Sequence, residues 1–140
     1  MKFNIETYNS SSTLRIAIKK VKEALIRTFE GESIEQADVN VIYVDDAKIH
    51  EINKEYLNHD RTTDVITFSL KDNEEKDSII DGEIYVSADT ARRQASEYKV
   101  SFTDEILRLA VHGGLHLCGY EDDNNKKRAY MHKLETKYIR

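Results

Sequence analysis

The chain contains no proline, and one cysteine, Cys118, among its 140 residues. Without proline, helix ends have to be set by Gly, Asn, Asp and Ser. A lone cysteine excludes an intrachain disulfide and suits a reducing compartment. No apolar run approaches the ~20 residues that span a bilayer. The opening MKFNIETYNSSS also lacks the long apolar stretch of a secretory signal. The expectation is a soluble, cytoplasmic protein with no membrane partner. An excess of positive charge is missing too: 21 Lys and Arg stand against 26 Asp and Glu, a net charge of -5. That balance argues against wholesale electrostatic attachment to nucleic acid, and no DNA partner is expected. A local basic groove stays open.

What is present is enough for one domain over residues 1–140 with a single core and a heavily solvated surface. Lys2 to Tyr8 alternates as a strand. Ser10, Ser11 and Ser12 offer caps for an amphipathic helix over Thr13 to Glu30, which Gly31 stops. Asp38 to Val44 reads as a second strand, and Asp45 caps a helix to about Tyr56. Asp64 to Leu70 is a third strand. The fourth lies within Ile79 to Ser87, centred on Glu83 to Val86 after an Asp81-Gly82 turn, and can pair with the third as a hairpin. Ser87 or Asp89 caps a helix to Tyr98, Ser101 or Thr103 caps another to Leu117, and a last helix runs from Asn124 to Tyr138. The order β-α-β-α-β-β-α-α-α predicts an α/β or α+β fold with one mixed sheet.

Chemistry concentrates in His112 to Asp122, HGGLHLCGYED. On a helix His112 and His116 stand one turn apart on one face, able to grip one ion. A helix that ends at Gly119 lets the chain reverse, which brings Asp122 near them as a third ligand. Glu121 and Asp123 compete for that role or act on a water. Three protein ligands leave a zinc ion a fourth position for water. The alternative is a pair of hydrogen-bonded histidines without a metal. His132, between Met131 and Lys133, reads as a solvated residue. His50 and His59 stand alone, although the loop of His59 precedes a strand that can end near the site. Gly113 occupies the place of the general-base Glu of HExxH proteases, which disfavours that mechanism. Gly113 and Gly114 each cost the helix ~1 kcal/mol relative to alanine, so they make room for something close, a neighbouring helix or a substrate.

The run His112-Gly113-Gly114-Leu115-His116-Leu117-Cys118-Gly119-Tyr120-Glu121 resembles the signature of the YbeY family, bacterial metal-dependent endoribonucleases of ribosomal RNA maturation. The resemblance extends over Asn53 to Tyr56, Asp60, Thr63 to Phe68, Asp81 to Ile84, and Met131 with Glu135. It implies a four-stranded mixed sheet packed with about five helices and a metal site in a cleft. It also implies hydrolysis of single-stranded RNA, including the 3′ end of small-subunit ribosomal RNA, and a role in ribosome quality control. The implied partners are ribosomal RNA and the ribosomal small subunit, and the cofactor is one divalent ion, Zn2+ first. Asp122 stands where the family has a third histidine, and its carboxylate brings manganese into range. Leu57 stands where the family has an arginine, and Thr62 where it has a proline. Arg61, Lys54 or His59 can replace the lost donor, with Glu121 or Asp123 orienting the water. Arg92, Arg93, Lys99 and Arg108 can line an RNA path, or form an ordinary solvated helix face. Two other functions stay open: another metal-dependent hydrolase, or a non-catalytic ribosome-associated factor in which a metal holds the turn closed.

Overall fold

The structure, a computed structural model, describes residues 2–11, 14–57, 63–71 and 76–140. The elements follow in the expected order: β1 (Lys2–Asn9), α1 (Ile18–Gly31), β2 (Gln36–Val44), α2 (Asp46–Leu57), β3 (Val65–Ser69), β4 (Ile79–Ser87), α3 (Ala88–Tyr98), α4 (Phe102–Leu117) and α5 (Asn125–Tyr138). The sheet runs β1-β2-β4-β3. β1 pairs β2 and β2 pairs β4 in parallel, and β3 returns antiparallel on β4. The fold is therefore α+β with a mixed sheet.

Alternation along the strands divides the apolar residues between the two faces. Val39, Val41 and Tyr43 of β2 and Ile80, Ile84 and Val86 of β4 join the main core with α1, α4 and α5. Ile42, Val44, Ile66, Phe68 and Tyr85 face the other way, where Ile49 and Ile52 of α2 cover them. α4 is the helix the molecule is built around, because Ile106, Leu109, Ala110, Val111, Gly113, Gly114 and Leu115 are all buried.

Three local expectations need correction. α1 begins at Ile18 rather than Thr13, with no side-chain cap bond at its start. The cause is Asn9. Its side chain accepts from Ser11 N at 3.0 Å and donates to the Leu14 carbonyl at 2.8 Å, bonds that compete with the helix for the backbone ahead of Ile18. Gly31 is the last helical residue, and the left-handed residue beyond it is Ser33, with φ 59°. Asp81 and Gly82 form no turn. They lie inside β4, where Gly82 pairs with Ser69 and Val39. A Cβ on Gly82 would sit 2.6 Å from the Phe68 carbonyl oxygen and 2.7 Å from Leu117 Cδ2, so glycine here permits close packing.

Candidate metal centre

α4 starts where the Ser101 hydroxyl accepts from Asp104 N. It ends at Leu117 with Cys118 as its cap, and the chain turns at Gly119, whose φ of +104° suits glycine. Tyr120 N donates back to the Leu115 carbonyl at 3.1 Å, so the chain reverses over the last helical turn. Asn124 then caps α5 by accepting from Lys127 N at 2.8 Å. This helix-turn-helix returns Asp122 to the two histidines.

The three functional atoms converge. His112 Nε2 and His116 Nε2 are 3.0 Å apart, and Asp122 Oδ2 lies 3.3 Å from the first and 3.5 Å from the second. The opposite ring nitrogens are fixed. His116 Nδ1 is 2.9 Å from the Tyr120 carbonyl oxygen, which can only accept, so Nδ1 carries the proton. His112 Nδ1 is 2.7 Å from Glu135 Oε2. With both Nδ1 atoms donating, the neutral rings turn bare Nε2 lone pairs toward each other. A shared cation relieves that arrangement. Tetrahedral ligands at ~2.0–2.1 Å from a zinc ion lie roughly 3.3 Å apart, the spacing found here, so the donor set fits a divalent metal.

Glu135 is 6% exposed and also meets Arg108 Nη1 at 3.3 Å. Burial resists charging His112, but the hydrogen bond and charge of Glu135, with the charge of Asp122, outweigh it. The imidazole is held above its ordinary pKa. A carboxylate that orients a ligating histidine is the usual support of such a ligand.

A cleft of about 340 Å³ opens beside these atoms, lined by Asn53, Leu57, Thr63, Asp64, Val65 and Thr67 among others. A second hollow, on the α5 side, is lined by Asp64, Glu105, Arg108, Arg128, His132 and Glu135 with His112 and Asp122. Burial, only partly offset by Arg108, raises the pKa of Glu105, and the charges of Asp64 and Glu135 add to the rise.

The other expected site residues are placed differently. Glu121 and Asp123 have side chains 68% exposed and pair with Lys127 Nζ at 3.3 and 3.1 Å. Neither lines the cleft, because the turn that brings Asp122 inward sends its two neighbours outward. Arg93 is bound to Asp46 at 2.8 Å. Arg92 is exposed on α3, and Lys99 caps that helix in a left-handed conformation. Of the four basic residues, only Arg108 reaches the site, where it is tied to Glu135 and Thr136. His132 is exposed and stands 3.4 Å from Arg108 Nη1. His50 lies on α2. His59 and Arg61 lie outside the described residues.

The sequence reading gave no role to Glu135, the Tyr120 carbonyl or Asp64. Glu135 did leave a signal: it falls in the buried stripe Met131, Leu134, Glu135, Tyr138, where a carboxylate needs a partner.

A family model described as endoribonuclease YbeY matches residues 4–140. A protein of Chloroherpeton thalassium named endoribonuclease YbeY is 39% identical over 86% of this chain and 83% of its own length. One of Chlorobium phaeobacteroides with the same name is 34% identical over 100% and 95%. One of Oenococcus oeni, also so named, is 47% identical over 74% and 71%. A Thermotoga maritima protein of known solution structure matches with a TM-score of 0.67 and 31% identity, covering 97% of this chain and 87% of that one. With a family model matched over residues 4–140 and relatives 34–47% identical over most of its length, the chain belongs to the YbeY family.

Proposed function

We propose that this protein is a metal-dependent endoribonuclease that hydrolyses phosphodiester bonds of single-stranded RNA in ribosomal RNA maturation. Its family and the names of its relatives support the reaction class. The observation that carries the metal dependence is the meeting of His112 Nε2, His116 Nε2 and Asp122 Oδ2 within 4.8 Å of one another. A divalent ion held there, zinc first, supplies Lewis acidity and an acidified water. Glu135 and the Tyr120 carbonyl hold the two rings with Nε2 toward the cleft. Asn53 and Thr67 form polar parts of the opposite wall, and Asp64 is within reach of the same space to take a proton. The 3′ end of small-subunit ribosomal RNA is the proposed substrate, with the small ribosomal subunit as partner and the cytoplasm as location. Among the described residues no helix is long and apolar enough to cross a membrane.

Leu57 lines the cleft where the family carries an arginine, and this favours a second reading, a ribosome-associated factor that holds its metal without cutting. Cleavage of precursor ribosomal RNA decides between them. The first reading expects wild-type protein with zinc to cut and His116→Ala to lose both metal and cutting. Ribosome binding by a wild-type protein that holds zinc but never cuts would establish the second.

A further inference from the structure

We infer that Glu32, at the end of α1, is a positioning residue for the metal centre: it anchors the turn whose backbone carbonyl orients His116. The inference rests on the metal reading proposed above. Tyr120 Oη donates to Glu32 Oε1 at 2.5 Å, and Tyr138 Oη donates to Glu32 Oε2 at 2.5 Å. One carboxylate thus joins three elements: the end of α1, the turn after α4, and the end of α5. Tyr120 is the residue whose carbonyl accepts the His116 Nδ1 proton at 2.9 Å, and it lies two residues before Asp122. A shift of Tyr120 moves one ligand's orienting group and the approach of another.

Two features argue that this junction is built rather than incidental. A carboxylate at a helix C-terminus faces the negative end of the helix dipole, where it is electrostatically misplaced without donors. Glu32 stands there and receives two phenols. Gly31, beside it, leaves room for one of them: a Cβ at that position would lie 2.5 Å from Tyr138 Cε1 and Oη. Arg27 Nε adds a bond to the Tyr138 carbonyl at 2.9 Å, fixing the α5 side of the anchor.

The test combines zinc affinity, by competition with a chromophoric chelator, with imidazole 15N shifts of the metal-free protein. Glu32→Ala and Tyr120→Phe are expected to weaken zinc binding several-fold, less than the about 10- to 100-fold that follows loss of a group bonded directly to a ligand. The Glu32→Ala/Tyr120→Phe double variant should be no weaker than Glu32→Ala alone, because both break one link. Tyr138→Phe, which leaves the Tyr120 bond intact, should lower the denaturation midpoint and keep affinity close to wild type. In metal-free Glu32→Ala the His116 nitrogens should move from the Nδ1–H tautomer toward a mixture. Unchanged His116 shifts and unchanged zinc affinity in a Glu32→Ala protein that has lost only stability would overturn the inference, as would losses that add in the double variant. The nitrogen shifts need no metal. A wild type that fails to bind zinc therefore counts against the metal reading, while the shifts still decide the role of Glu32.

Discussion

His112 and His116 present the same atom to the cleft but are held by different partners. His116 leans on a backbone carbonyl, which no side-chain substitution deletes. His112 leans on Glu135, whose other oxygen is bound to Arg108. Glu135→Gln keeps the shape and removes the charge. Zinc affinity should fall about 10- to 100-fold. Arg108, partly exposed, loses its ionic partner, so stability in urea should fall by roughly 1–3 kcal/mol, below the figure for a fully buried pair. Unchanged affinity in Glu135→Gln would show that the carboxylate is a structural ion-pair partner alone. Cys118 supplies a pH prediction. Burial first, and then the charge of Glu32, push its thiol up to about 12. A raised value in the folded state means that its contribution to stability is whole below the unfolded thiol's pKa, ~8.5, and is lost as pH rises toward the folded value. At pH 8 the native thiol should react with Ellman's reagent far more slowly than the thiol of urea-unfolded protein. Equal rates would contradict the burial. At this scale the sequence showed the two histidines and Asp122, because their spacing is local. The role of Glu135 was hidden, since it depends on where α5 lands against α4, 23 residues away.

Among the elements, α4 carries the strongest constraint. Its paired glycines answer to two different neighbours. A Cβ on Gly113 would meet Ile84 Cγ2 at 2.6 Å, on a central strand, and one on Gly114 would meet Leu25 Cδ2 at 2.8 Å, on α1. The close approach is thus made by the sheet and by α1. Gly113→Ala gains ~1 kcal/mol of helix propensity. It must also displace a β-branched side chain that has no room to turn, which costs typically 1–3 kcal/mol. Gly114→Ala asks only that the end of a flexible leucine give way. Urea titrations should therefore show Gly113→Ala destabilised and Gly114→Ala near wild type; the reverse order would mean that α4 sits differently on the sheet. The order of the nine elements found among the described residues was legible from periodicity, and the caps Ser87 and Ser101, each as one of two candidates, from residue type. The start of α1 was not, because Asn9 competes for the backbone there. Nor was the true role of Gly82, because a glycine that permits packing and a glycine that makes a turn look alike in sequence.

The whole molecule is acidic, and so are the walls of its cleft and of the second hollow beside it, where Asp64, Asp122, Glu105 and Glu135 together outnumber Arg108 and Arg128. A polyanion such as RNA gains little from these surfaces unless a cation offsets them. Binding of single-stranded RNA should therefore weaken when the metal is removed, before any question of cutting arises. Fluorescence anisotropy at one fixed salt concentration checks this, and equal affinity with and without zinc would place the RNA elsewhere on the protein. Arg92, Arg93 and Lys99 do not line the cleft or the hollow beside it. The central claim is that His112, His116 and Asp122 hold a divalent ion on which RNA cleavage depends. Its most direct test is the cleavage rate of a single-stranded precursor ribosomal RNA by the purified protein after chelation and again after zinc is restored. The expected result is loss on chelation and recovery with zinc in the wild type, with no recovery in His116→Ala. Cleavage that continues at the wild-type rate in the chelated protein would contradict the account.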